Sequence, residues 1–224
     1  MTDYGRQLSF GVSLDPCAGT WALTRRLART AEDSGLDYLA VQDHPYQPGR
    51  LDAWTLITHL SAVTDRVSFL TDVADLQLRP PVMLAKAAAS LSVLTDGRIQ
   101  LGVGGGGIPN AIASMGGPAR RGQDMVAFSR QRIIDEAAAD AGRDPSTLRR
   151  VYNVIGVIGD HGDGPGLVGG VRRWVDTLAE WAVELGFDTF VFWPATDPER
   201  QLGLFTGEVV PAVRERVDAI RSGR

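Results

Sequence analysis

Residues 67–107 read VSFLTDVADLQLRPPVMLAKAAASLSVLTDGRIQLGVGGGG, and the architecture follows from them. Val67–Thr71 is apolar and β-branched enough for a buried strand. Arg79 leads into Pro80-Pro81, and proline suits the first turn of a helix but not its interior. Val82–Leu94 continues that helix, and Thr95-Asp96-Gly97 stops it with glycine in the C-terminal position. Arg98–Val103 is the next strand. Gly104, Gly105, Gly106 and Gly107 leave it without side-chain bulk. The stretch is a βαβ unit whose strands end in polar or backbone-permissive segments, where α/β proteins hold their ligands.

The same rhythm extends outward. Leu8–Leu14 (LSFGVSL) reads as a first strand, Trp21–Gly35 as a helix with its glycine stop, and Asp37–Val41 (DYLAV) as a second strand. Asp52 is placed to cap a helix running to about Val63. Strand starts near 8, 37, 67 and 98 give a βα period of about 30 residues, the pattern of a (β/α) barrel. After Gly107 the rhythm breaks. Residues 108–122 are loop-like, with a short helical turn at Ala111–Met115, and Met125–Ala141 is an amphipathic helix. Val151–Ile158 is a strand, 159–170 a glycine-rich loop, Val171–Leu185 a helix, Thr189–Trp193 a strand and Gly207–Ile220 a closing helix. That makes about six strands, where a closed barrel needs eight.

Composition narrows the field. With 224 residues, 44% of them hydrophobic, the chain can bury a core as one domain, 1–224. A net charge of −4 gives no reason to expect nucleic acid. The single cysteine, Cys17, excludes an internal disulfide and a paired-cysteine zinc site. No basic-then-apolar N-terminus and no apolar run long enough to cross a bilayer is present, so a cytoplasmic protein without a membrane partner is expected.

Several residues stand where chemistry would be built. Asp43-His44 follows the second strand, and an imidazole titrates near neutrality, which suits general acid/base work. A loop histidine paired with its neighbour explains the same residues. Gly104–Gly107 permits close approach of backbone to ligand. Asp15 ends the first strand, Tyr46 follows His44 and Trp193 ends the last strand, and all three are candidates for a substrate pocket. Packing explains Trp193 equally well. His161, with Asp160 and Asp163, lies in a solvated loop and lacks metal-ligand spacing. His59 sits in a helical pattern and reads as structural, and Cys17 reads as a tolerated loop thiol.

These stretches resemble the bacterial luciferase-like flavin- and F420-dependent oxidoreductases. The resemblance rests on FGVSLD at 10–15, SGLDYLAVQDH at 34–44, LRPPVMLAKAAASLSVLTDGRIQLGVGGG at 78–106, AGRDPSTLRRVYNV at 141–154 and LAEWAVELGFDTFVFWP at 178–194. It implies a TIM-barrel-derived fold and a hydride exchanged between coenzyme F420, or FMN as the alternative, and a small organic substrate. It implies a ring-contacting role for Asp43 and His44. It also implies a non-prolyl cis peptide at Asp72-Val73 that supports the cofactor ring with Ala74, and backbone contact at Gly104–Gly107.

The chain departs from the family in two places. The acidic proton donor of the F420-dependent sugar-phosphate dehydrogenases has no counterpart at Gly107. The strand–helix–strand block expected before AGRDP is missing, with a junction near 121–122, so the chain resembles a barrel without strands five and six. Arg120-Arg121 is a weak candidate for a phosphate contact there. Open sheet edges would have to be covered, which leads to the expectation of a homodimer and to a second reading, a non-catalytic cofactor-binding or scaffold relic.

Overall fold

The computed structural model describes residues 5–104, 108–118, 144, 149–159 and 166–223. Gly105–Gly107, Arg120-Arg121, the 121–122 junction, the 125–141 helix and the His161 loop lie outside the described residues.

The core of the molecule is a parallel sheet. Strands β1 (Ser9–Leu14), β2 (Tyr38–Val41), β3 (Ser68–Thr71), β5 (Ile99–Gln100), β7 (Val151–Ile158), β8 (Leu167–Gly169) and β9 (Thr189–Pro194) stand in the order β5-β3-β2-β1-β9-β7-β8. Two short strands, β4 (Ala74–Asp75) and β6 (Val103–Gly104), pair separately above β3 and β5. Helices α1 (Trp21–Asp33), α2 (Ala53–Ser61), α3 (Pro81–Leu94) and α4 (Pro109–Ser114) follow β1, β2, β4 and β6. Later in the chain come α5 (Val171–Glu184), α6 (Pro198–Leu204), a π-helical turn at Phe205–Val209 and α7 (Val210–Ser222). Among these described residues no helix is long and apolar enough to cross a membrane.

The pleat sorts the side chains. Phe10, Val12 and Leu14 of β1, Leu39 and Val41 of β2, and Phe190 and Phe192 of β9 face outward into the main core, against Leu27, Ala31, Trp174, Phe205 and Val213 of the helical layer. Alternate residues face the concave side, where Ala40, Leu70 and Val191 form a second, smaller cluster beside Tyr38. Burial on both faces is what a parallel sheet requires, and it accounts for the continuous apolar runs in the sequence.

The sheet is strongly curled. Asn153 on β7 donates to Asp72 Oδ1, just past β3, at 2.6 Å. Three strands, β2, β1 and β9, separate β3 from β7. Laid flat, those four spacings would hold the pair ~19 Å apart. The fold is α/β and barrel-like, and the barrel is not closed among the described residues.

Three elements differ from the sequence expectation. The strand expected at Arg98–Val103 is broken: Ile99–Gln100 pairs with β3, whereas Val103–Gly104 pairs with β4. Between the two pieces the Thr71 side chain bonds both backbone groups of Gly102, its hydroxyl donating to the carbonyl at 2.7 Å and accepting from the N–H at 3.1 Å. Residues 159–170, expected as loop, contain β8, which adds a seventh strand through its pairing with Gly156–Ile158. The closing helix begins earlier, at Pro198, with Asp197 accepting from the Arg200 N–H as its cap, and reaches Ser222 through the π-turn.

Candidate functional site

The C-terminal ends of β1, β2, β3 and β9 gather most of the predicted residues. The β2 end is held by a buried ion pair. Asp43 is 1% exposed and accepts from Arg79 Nε at 2.5 Å and Arg79 Nη2 at 2.6 Å, while the Asp75 N–H reaches it at 3.2 Å. Arg79 Nη2 also donates to Asp52 Oδ2 at 2.6 Å. Asp52 in turn caps α2 by accepting from the Thr55 N–H at 2.9 Å. Arg79 therefore ties three segments together: the end of β2, the start of α2 and the turn after β4. The hydrogen bonds it donates to Asp43 raise the pKa of the Arg79 guanidinium well above its ordinary range. Burial favours protonation of Asp52, but the bonds from Arg79 and Thr55 outweigh it and leave its pKa lowered.

Both carboxylate oxygens of Asp43 are engaged by Arg79, so the residue anchors the loop, a role the sequence did not show. His44 itself is half-buried, its ring stacked on Tyr46 with centroids 5.5 Å apart. His44 Nδ1 is buried with no hydrogen-bond partner among the described residues. Burial, reinforced by the Arg50 charge, lowers the pKa of His44, with Asp43 and Asp75 opposing, so the neutral imidazole is favoured.

Beside it lies the bulge between β3 and β4. The Asp72-Val73 peptide is cis. Val73 is 44% exposed, and its side chain covers Gly104, where a Cβ would sit 2.3 Å from Val73 Cγ2. Glycine at 104 thus makes room for the neighbouring strand's side chain, a packing reason that the glycine run alone did not reveal. Asp72 Oδ1 is bonded to Asn153, and Asp72 Oδ2 is buried without a partner among the described residues. Burial pushes the Asp72 carboxyl up, against the Asn153 bond. Ala74 is fully buried in β4, within the main core.

A cavity of about 330 Å³ opens at the ends of β1, β2 and β9. Asp15 and Trp193, expected in a substrate pocket, both line it. Tyr46 is not among its lining residues and packs on His44. Gln42, Arg50 and Ser13 also line it, and none of these was singled out from the sequence. Arg50 meets Asp15 at 3.3 Å, donates to Gln42 Oε1 at 3.3 Å and bonds Gln47. His59 packs edge-on against Trp21, a structural role, as the helical pattern implied.

Arg79 and Asn153 were missed for different reasons. Arg79 precedes Pro80-Pro81, and an arginine just before a helix whose first residues are proline was the only available hint. Asn153 carried no signal, because its partner lies 81 residues away.

Known proteins share parts of this sequence and its fold. Residues 4–131 match the family model for luciferase-like monooxygenases. An uncharacterised protein of Mycobacterium tuberculosis is 34% identical over 119 residues, covering 43% of this chain and 41% of that one. An F420-dependent glucose-6-phosphate dehydrogenase of Rhodococcus erythropolis is 39% identical over 97 residues, covering 39% of this chain and 28% of that one. The chain thus spans about two-fifths, or less, of these curated relatives. Among solved structures, an F420-dependent secondary alcohol dehydrogenase in complex with an F420-acetone adduct superposes with a TM-score of 0.70 at 16% identity. That match covers 93% of this chain and 99% of the other, and it supports the barrel-like fold. The matched segment takes in β1 to β6 together with Asp43, His44, Asp72 and Val73, and the chain belongs to the luciferase-like monooxygenase family.

Proposed function

We propose that this chain is an oxidoreductase that moves a hydride between coenzyme F420, with FMN as the alternative, and a small organic substrate. One observation carries the reading. Among the described residues His44 Nδ1 and Asp72 Oδ2 are buried polar atoms without partners, and they lie at the ends of the adjacent strands β2 and β3. Buried polar groups are nearly always paired, so two orphans at neighbouring strand C-terminal ends fit a ligand that completes them. The exposed Val73 side chain beside them suits the flat, apolar body of a deazaflavin or flavin ring.

When bound, that ring supplies the hydride chemistry. The chain's own residues bind, orient and hold protons. His44, kept neutral by burial, offers Nδ1 as a hydrogen-bonding atom or proton acceptor. Arg79, through Asp43 and the Asp75 N–H, fixes the His44 loop against the bulge that carries Val73. Asn153 holds Asp72 in place from across the concave face.

We also infer a homodimer. The outer face of α3 exposes Val82 (80%), Met83 (65%), Val93 (79%) and Leu94 (77%), beside the short edge strand β5. Lys86 is the only charged residue in α3, so a second copy of the same face meets little charge repulsion.

The test is direct. Purified protein is titrated with F420 and, separately, with FMN, and oxidation of each reduced cofactor is followed with added acceptors. Binding at micromolar concentration that weakens at least about tenfold in His44→Ala supports the reading. Absence of binding by either cofactor overturns it, and binding without any turnover leaves a cofactor-binding protein instead.

A further inference from the structure

The cavity at the ends of β1, β2 and β9 has a chemistry of its own. Ser13 is 6% exposed, lines the cavity, and its hydroxyl has no partner among the described residues. Gln42 is 3% exposed and accepts at Oε1 from Arg50, and its amide N–H group is a donor. Among the described lining residues Arg50 is the only cation and Asp15 the only anion, and the two pair at 3.3 Å. The site therefore offers donors for an oxygen atom while carrying no net charge. Leu23, Leu27 and Trp193 supply an apolar wall. A volume of about 330 Å³ matches about ten non-hydrogen atoms at the ~30 Å³ that each water occupies in the liquid.

We propose that this cavity seats a small, neutral organic molecule by a hydroxyl or carbonyl oxygen, with Ser13 and Gln42 reading that oxygen and the Asp15–Arg50 pair turning anions away. The ligand's apolar body lies against Leu23, Leu27 and Trp193. An incoming carboxylate or phosphate finds Arg50 already neutralised and meets the Asp15 carboxylate, so it loses its hydration without gaining a free cation. This names the substrate class of the oxidoreductase proposed above and rests on that reading for the word substrate. The binding chemistry stands on the cavity alone.

The experiment uses the full chain without added cofactor and three probes of one carbon skeleton: benzyl alcohol, benzoate and benzylamine. Binding is measured by calorimetry or ligand-observed NMR on wild type, Ser13→Ala and Asp15→Asn. Benzyl alcohol binds at least about tenfold more tightly than benzoate. Ser13→Ala weakens the alcohol about threefold to tenfold, the worth of one hydrogen bond. Asp15→Asn releases the Arg50 charge and narrows the alcohol–benzoate gap about tenfold. Benzoate or benzylamine binding as tightly as the alcohol overturns the proposal. So does an unchanged alcohol affinity in Ser13→Ala, an unchanged gap in Asp15→Asn, or no saturable binding of any probe. Titration of F420 and FMN against the same preparations separates the two readings. Cofactor binding without alcohol binding sinks this proposal alone, and alcohol binding without cofactor binding sinks the oxidoreductase reading alone.

Discussion

Replacing Arg79 with methionine removes the charge that lets Asp43 be buried. In the wild type Asp43 is 1% exposed and holds two charge-assisted bonds of 2.5 and 2.6 Å to one guanidinium. After the substitution its carboxylate keeps only the Asp75 N–H at 3.2 Å, in a place water does not reach. Asp52 suffers less. It is 43% exposed at the side chain and retains Thr55 as its capping partner. The loss thus concentrates on Asp43, and breaking a buried pair by removing one partner costs about 3–5 kcal/mol. For a domain of this size that corresponds to a fall in Tm on the order of 6–20 °C.

Urea denaturation followed by tryptophan fluorescence reads the change, and a double-mutant cycle with Asp43→Asn isolates the pair. A buried, coupled pair predicts that Arg79→Met costs much less in the Asp43→Asn background. A loss below about 1 kcal/mol for Arg79→Met, or strict additivity of the two substitutions, refutes the reasoning. Either result would place the pair with ordinary surface ion pairs.

Other outcomes follow from the same geometry. Burial and Arg50 lower the His44 pKa, so the unfolded chain binds more protons as pH falls through about 6.5, and stability declines there. His44→Gln flattens that part of the stability–pH curve, and an NMR titration places the His44 midpoint below the free-histidine value. Asp72 behaves oppositely, because its raised pKa destabilises the fold once pH exceeds the unfolded value. Asp72→Asn therefore raises Tm at pH 7 and leaves it unchanged near pH 3. Gly104→Ala drives a methyl group into Val73 and costs about 1–3 kcal/mol in chemical denaturation, and Val73→Ala in the same chain recovers most of it. Asp substitutions at Met83 and Leu94 convert the proposed dimer to a monomer in light scattering, and an unchanged mass excludes α3 as the interface.

Much of this molecule is legible in order along the chain. The Val67–Gly107 stretch carries its own punctuation, with prolines entering α3 and Gly97 at φ +86° leaving it, because helix ends depend on residues within a turn of one another. The Asp52 cap and the β-branched strands are local in the same sense. The strand break at Gly102 was not legible, since the Thr71 hydroxyl that bonds the Gly102 backbone belongs to a neighbouring strand. Strand β8 was hidden among glycines, because pairing with β7 and not propensity makes it a strand.

For the site, the sequence by itself set His44, Asp15 and Trp193 at strand C-terminal ends, which can be counted along the chain, and the family resemblance added Asp72. Only the tertiary structure decided what those residues do. It gave Asp43 to Arg79, joined Asp72 to Asn153 across three intervening strands, and paired Arg50 with Asp15 in a cavity that includes the buried Ser13 hydroxyl. Those roles depend on burial and on partners brought close by sheet curvature. Hydrogen bonding and desolvation act over a few ångströms of space, whatever the separation along the chain.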